Sequence, residues 1–463
     1  MFQFLLVLFS LSWKITTSAH LAEEYLHCLS LCLGNSSSVA NLVYTQHNSS
    51  YSSVLKSSAQ NFRFRTPSTP KPLAVLTPLH PSHIQATVYC CRKLGLQVRT
   101  RSEGHDYEGL SYRTAYKVPF VVIDLVNLRS VQVNVEKATA WIESGATIGE
   151  LYYEILLKSR TLTFPAGIGH TVGLGGHLSG GGSGSLHRTY GLAVDDYIAH
   201  KLPREIHTSI AISRVNSSED VRAALGSVFL GSIDELLPVM EEKFPQLGLV
   251  KENCFEMSWA ETNLYIERFP IGVPLETLLD RSSKTPLSKL FFKAKSDFVK
   301  QPIPETAFEG LWGKFHEEEA KSAVMEFVAF GGKMDEIPEI ETPFTHRAGN
   351  LYSIMYLVNW KEEENINSEK FIDWTRRVYN YMTPFVSKSP REAYINYRDL
   401  EIGTNKISND KGSCAQARIW GPKYFKNNFN RLVHVKTKVD PENFFRNEQS
   451  IPPLPCLLKK GAN

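Results

Sequence analysis

The hydrophobic pattern opens with an apolar run from Phe2 to Trp13, closed by small and polar residues at Thr17–Ala19. That run is well short of the ~20 residues a membrane-spanning helix needs, so it predicts an export signal over residues 1–20 and no membrane span. Behind it, Ala22–Leu33 predicts a short helix and Ala40–Tyr44 a strand. The segment PLAVLTP predicts a short buried strand between turns, His83–Leu94 a helix, and Leu96–Arg99 a strand feeding a glycine turn. Val118–Leu125 has the unbroken apolar texture of a buried strand, and Ala138–Glu143 alternates its faces. Thr147 followed by Glu150 is a capping-box pattern that opens a helix over Thr147–Lys158, with Ile148, Leu151, Ile155 and Leu156 on the face that packs on a sheet.

Beyond Val194 the texture changes. IHTSIAISRV predicts a strand, Ile233–Lys243 a helix, Glu326–Phe330 and Tyr352–Trp360 strands, and Asn367–Tyr379 a long helix. Aromatic strands between helices point to a second α+β domain with a largely antiparallel sheet. The tail Trp420–Ile451 predicts a helix and then KVDPENFFRNEQSIPP, a proline-limited aromatic segment suited to packing on another surface.

With 463 residues, the chain is too long for one growing core, and two or three domains are expected. A net charge of +3 with no run of Lys or Arg gives no nucleic-acid footprint. Export changes how the seven cysteines read, because disulfides persist in oxidising compartments. A bridge from Cys28 or Cys32 to the Cys90/Cys91 pair would tie the N-terminal helix to the first domain, and the odd count leaves a thiol over among Cys254, Cys414, Cys456 and the rest. Sequons at Asn35, Asn48 and Asn216 fit glycosylation of an exported chain.

Two glycine-spaced segments carry the candidate chemistry, RSEGHDYEGLSY at Arg101–Tyr112 and PAGIGHTVGLGGHLSGGGSG at Pro165–Gly184. The first sets His105 on a turn able to approach a ligand closely, as a cofactor ligand or as a turn histidine capped by Asp106. The second is dense enough in glycine that close backbone approach to a diphosphate is a better reading than a passive linker. It lacks both the strand, GxGxxG and helix order of a dinucleotide fingerprint and the lysine of a nucleotide-triphosphate loop. YINYRD at Tyr394–Asp399 predicts a strand with Asn396 and Arg398 on one face and Tyr397 and Asp399 on the other. A tyrosine near an arginine or an oxidised cofactor can have its phenol pKa lowered and act as a base; otherwise it is a hydrogen-bonded core aromatic.

Together RSxGHDYEGLSY, ESGATIGELYY, TVGLGGHLSGGG, YINYRD and VDPENFFRNEQSIPP closely resemble the plant berberine bridge enzyme-like family, also called reticuline oxidase-like FAD-linked oxidoreductases. The resemblance implies an α+β chain with the FAD-binding fold of the vanillyl-alcohol oxidase and p-cresol methylhydroxylase type. On that pattern residues 21–200 form the FAD-binding domain, 201–415 an α+β substrate domain with an antiparallel sheet, and 416–463 a segment returning to the flavin domain. It implies cofactor contacts from Arg101, Ser102, Gly104, His105, Asp106, Tyr107, Gly169, Thr171, Gly173, Leu174, Gly175, Gly176, His177, Gly180 and Asn443. The family joins its histidine to the flavin 8α-methyl, and His105 stands there. Many members attach again through a cysteine whose place here is Gly169, so a monocovalent flavin is expected. Leu174 resembles the oxygen-gate position, where leucine accompanies sluggish reaction with oxygen, so dehydrogenase behaviour is expected.

The catalytic pair implied is Tyr397 with Tyr190 across the pocket, taking a proton as hydride leaves an alcohol or amine carbon of a carbohydrate, monolignol or alkaloid. No metal is implied; the partners would be a small-molecule substrate and oxygen or another electron acceptor, acting on a monomer that is secreted or lies in the cell wall, endomembrane or vacuole. Two departures stand out. The sequence reads YSIMY where a Glu or Gln usually follows, placing Met355 there, and methionine cannot accept a proton. GLAVDDYIAH also runs directly into KLPREIHTSIAISRV, which leaves about seventy residues of the flavin domain without a counterpart. Such a loss would leave strands unpaired and apolar faces bare. An inactive secreted glycoprotein on the same scaffold is therefore the alternative; a third reading, a carbohydrate-binding wall protein, would stack sugars on Trp259, Trp312, Trp360 and Trp374, although these fit cores or a lining of the substrate domain better.

Overall fold

The computed structural model describes residues 2–34, 39, 41–116, 118–195, 205–215, 220–282, 289–405 and 414–454, with side chains from residue 18 in the first helix. Among the described residues no helix is long and apolar enough to cross a membrane. Asn35, Asn216 and Cys456 lie outside the described residues, as does the side chain of Cys414, whereas Asn48 is exposed.

The first sheet comes from the short apolar runs β1 (Val43–Thr45), β2 (Ala74–Leu76), β3 (Gln97–Arg101) and β4 (Phe120–Asp124), in the order β1-β2-β4-β3. β2 and β3 both run parallel to β4, and helix Pro81–Lys93 makes the crossover between β2 and β3. One face buries Ala74, Leu76, Val98, Val121 and Ile123 against Tyr25, Leu29 and Cys91, while Val75, Phe120 and Val122 face Tyr51. A Cys28–Cys90 disulfide pins the N-terminal helix Phe2–Leu33 to Pro81–Lys93, one of the pairings allowed by the sequence. Cys32, Cys91 and Cys254 are free thiols.

Next come β5 (Val131–Asn134) and β6 (Thr139–Ile142), an antiparallel pair with no third strand among the described residues. Helix Ile148–Lys158 packs on it through Ile148, Leu151 and Ile155, and Thr147 with Glu150 forms the reciprocal capping box. Trp141 on β6 is 75% exposed.

A five-stranded antiparallel sheet follows, built from β7 (Ile206–Arg214), β8 (Val221–Phe229), β9 (Phe291–Val299), β10 (Ala323–Ala329) and β11 (Tyr352–Trp360) in the order β8-β7-β10-β11-β9. One face buries Met325, Ile354, Tyr356 and Val358 beneath helices Glu305–Phe315 and Ser368–Tyr381. Trp360 and Trp374 are fully buried in that core, and Trp259 and Trp312 pack against core clusters, so these four do not form a sugar-stacking surface. The opposite face looks toward the glycine segments.

YINYRD is not a strand. Ile395–Tyr397 forms a single 3₁₀ turn, so the period-two faces do not exist. The turn is fixed by long-range bonds: Tyr394 N donates to Ser296 Oγ at 2.9 Å, and Asp399 accepts from Lys293 and Lys295 at 2.6 Å each. The tail forms helices Cys414–Phe425 and Asn428–Val439 and then crosses to the first sheet, where Phe444 joins the apolar core. There Glu448 pairs with Arg99 and accepts from Thr114 and Ala115. Gln449 donates to the carbonyls of Asp399 and Gly403, so one segment fastens both the first sheet and the YINYRD turn.

Candidate active site

The turn after β3 leaves the C-terminal end of a parallel strand, the usual side for ligands in such sheets. Gly104 holds φ of +69°, and a Cβ there would stand 2.2 Å from Ser58 O, so only glycine fits. Asp106 closes the turn by accepting from the backbone N–H of Glu108 at 2.8 Å and of Leu110 at 3.2 Å. His105 is thereby presented to Thr171, with Nε2 3.0 Å from the hydroxyl. Burial, seconded by His170, lowers the His105 pKa to about 4. The ring is therefore neutral near pH 7, and the tautomer that donates from Nε2 to Thr171 leaves the lone pair on Nδ1.

Thr171 and the glycines of the second segment pack closely on the first turn and on the YINYRD turn. A Cβ on Gly173 would collide with Ser102 Oγ at 2.1 Å, and one on Gly180 with Asn396 Oδ1 at 1.9 Å. Asn396 Nδ2 donates to His177 O at 3.0 Å, while His177 Nε2 accepts from Gly167 N at 2.9 Å. Burial lowers the His177 pKa to about 4, which keeps that acceptor unprotonated. Gly175 sits over Ser144 O, Gly169 turns beside Val172, and Leu174 is buried with its N–H on Ala146 O. Gly176 differs, because a Cβ there would meet nothing within 4 Å.

The far wall is aromatic. Tyr397 stacks on Tyr107 with centroids 5.4 Å apart, and Tyr394 meets Tyr397 edge-on at 5.1 Å. Tyr107 Oη reaches Met355 Sδ at 3.9 Å, and Met355 stands directly opposite Glu326 across the β10–β11 ladder. Burial, then the neighbouring Tyr107, Glu326 and Tyr394, raises the Tyr397 pKa well above the ordinary tyrosine value. Arg398 cannot lower it, because its guanidinium turns to Gln449 at 3.3 Å and Asp106 at 4.0 Å.

Three more of the expected residues have defined surroundings. The Arg101 side chain is fully buried and spent on Asp124 and the carbonyls of Val54 and Leu55, so it braces the turn from behind. Ser102 Oγ donates to Ser144 O at 2.6 Å, a carbonyl that also accepts from Gly175 N at 3.3 Å. Tyr190 ends the short helix His187–Tyr190, and the rings that touch Tyr397 are Tyr107 and Tyr394. Glu326 was missed in the sequence, although a single carboxylate inside the apolar run AVMEFVAF was its signal.

The residues fit a flavin at its ring end. Asn443 is 6% exposed, holds φ of +55°, and its Oδ1 is buried with no hydrogen-bond partner among the described residues. An acceptor left bare in this way calls for a ligand N–H. A cavity of about 460 Å³ lined by Thr77, Asp124, Val126 and Asn127 shares no residue with the His105–Tyr397 group.

Family models place an FAD binding domain over residues 72–202 and a "berberine and berberine like" segment over residues 393–452. The chain is 41% identical to berberine bridge enzyme-like 28 of Arabidopsis thaliana over 529 aligned positions, covering 97% of this chain and 98% of that protein. It is 40% identical over 531 positions to the tetrahydroberberine oxidase of Argemone mexicana, covering 97% and 95%. Alignments longer than the 463-residue chain agree with an internal stretch that has no counterpart here. Among solved structures, BBE-like 28 from Arabidopsis thaliana superposes with a TM-score of 0.85 at 40% identity, covering 93% of this chain and 99% of that one. Wild-type Phl p 4.0202, a glucose dehydrogenase, superposes at 0.86 with 34% identity, covering 93% and 99%. The paired glycine turns, the YINYRD turn and the returning tail therefore belong to the berberine bridge enzyme-like family of FAD-dependent oxidoreductases, and this chain is a member of it.

Proposed function

We propose that this protein holds FAD through one covalent bond from His105 Nδ1 and oxidises an alcohol or amine carbon by hydride removal. The observation that carries it is the neutral His105 ring, held by Thr171 on a turn that only Gly104 permits. When bound, the flavin supplies the two-electron acceptor; this chain's residues do the rest. Asn443 Oδ1 accepts from the ring, Gly176 leaves room for close backbone approach, and Tyr397 donates a hydrogen bond that orients the reacting hydroxyl. With Gly169 in place of a second attachment point, a single bond to the cofactor remains.

Relatives support a small organic donor without choosing one, since one acts on tetrahydroberberine and Phl p 4 is named a glucose dehydrogenase. An isoleucine-to-valine variant of Phl p 4 is named a glucose oxidase, which supports reading Leu174 as a block to oxygen. The acceptor is then an organic oxidant, and the protein acts as an exported, glycosylated monomer outside the cell or in the endomembrane system or vacuole.

The deciding experiment is visible absorption of the purified protein before and after acid precipitation, with His105→Ala beside it. Flavin that stays in the wild-type pellet and leaves the variant's establishes the His105 bond. Flavin released from the wild type overturns covalency, and a folded protein with no flavin band favours the inactive scaffold, a reading prompted by the bare β5–β6 pair.

A further inference from the structure

Five strands turn one face to the site, and its charge pattern is unusual. The antiparallel registers put Ala224, Ala211, Glu326, Met355 and Ser296 in one row across β8, β7, β10, β11 and β9. Directly opposed residues point to the same side of an antiparallel sheet, with Cα atoms about 4.5–5.5 Å apart. Ser296 at the end of the row accepts from Tyr394 N, and Met355 touches the Tyr107 hydroxyl. The row therefore lies under the tyrosine cluster, and Glu326 is the sole carboxylate that these registers bring to that face.

A carboxylate inside an apolar strand needs a reason. Burial raises its pKa, offset only in part by Ser209, and no cation among the described residues contributes. The groups facing it are Tyr107 and Tyr397 from the loops, with Tyr394 beside Tyr397 and with His207 and Arg222 on the same face of β7 and β8. A proton leaving a substrate hydroxyl needs a destination, and beside the Tyr397 phenol, whose pKa burial raises, stands the Glu326 carboxylate.

We infer that Glu326 is that destination, the proton acceptor of the site, doing from β10 what Met355 on β11 cannot. This rests on the oxidoreductase reading above. The substrate C–H bond breaks with its electron pair leaving as hydride to the flavin. The O–H electrons close the C=O bond, and the proton bonds to Glu326, which becomes a neutral acid and later returns it to solvent. An amine donor loses its N–H proton to the same group.

The test uses the full-length flavin-loaded protein, with glucose and benzyl alcohol as probes, and follows flavin reduction in a stopped flow across pH. Wild-type reduction rises with pH through a step above the ordinary glutamate range. Glu326→Gln lowers the rate about 100-fold or more and removes the step, whereas Glu326→Asp keeps a displaced step. An infrared titration without donor gives a second readout, a protonated-carboxyl band that is lost in Glu326→Gln. Reduction of Glu326→Gln at the wild-type rate with the step intact overturns the proposal, as does a missing band. If neither probe reduces the wild type, the oxidoreductase reading fails instead, and the two failures are distinct.

Discussion

The rings of Tyr107 and Tyr397 stack 5.4 Å apart with planes 12° from parallel, joining the turn that carries His105 to the turn that closes the substrate side. Asn61 holds the first ring's backbone in place by donating to Tyr107 O and Phe292 O at 2.8 and 3.1 Å. On the other side, Asp399 fixes the second through Lys293 and Lys295. The stack is thus clamped from both domains, which suits a wall that must hold a substrate hydroxyl steady.

Tyr397→Phe keeps the ring and removes only the phenol, so unfolding by urea should be unchanged within about 1 kcal/mol. Reduction of bound flavin should fall about 100-fold, the loss of a hydrogen bond that orients the reacting hydroxyl. An unchanged reduction rate would remove Tyr397 from the reaction.

Glu103 gives a pH signature of folding. Burial raises its pKa to about 7, against the opposing pull of Arg281. The folded chain therefore keeps a proton that the unfolded chain has released between about pH 4.5 and 7, and stability falls as pH rises through that window. Asp297, raised by burial to about 6 despite Arg391, adds to the same slope. Glu103→Gln should flatten the loss seen by urea unfolding between about pH 5 and pH 8 without abolishing it. An equal slope in both proteins would exclude Glu103 as its source.

Hydrogen exchange should separate the two small sheets. β4 is buried and paired on both sides, whereas β5–β6 is a lone pair with Trp141 exposed. Amides of residues 131–142 should exchange well ahead of those of 120–124. Equal protection would mean that another part of the chain, or a second copy, covers the pair.

Leu174 is fully buried against Ala146 and Leu151 within the second glycine segment. Leu174→Val removes one methylene, costs about 1 kcal/mol of stability, and should speed reoxidation of the reduced protein by oxygen while leaving its reduction by donor unchanged. Equal reoxidation rates would show that oxygen enters elsewhere.

Local pattern settled much of this molecule. Periodicity alone located β11 and the helix Ile233–Lys243 to the residue, and the Thr147–Glu150 capping box formed as its side chains require. Those features depend on neighbours three or four positions away, which a sequence displays. Motif order likewise carried the family. YINYRD misled because its alternation is accidental: its backbone is shaped by Ser296, Lys293 and Lys295, all about a hundred positions distant.

The chain by itself determined where the glycines lie, that His105 heads a turn, that Met355 cannot serve as a base and that part of a domain has no counterpart. Only the tertiary structure decided that Tyr107 is the ring stacked on Tyr397, that Arg101 is a brace, and that Glu326 stands beside Met355. The physical reason is register. A strand's sequence says which residues share a face, but which residue lies across from which is set by how separate strands slide into place, and burial then fixes each group's charge.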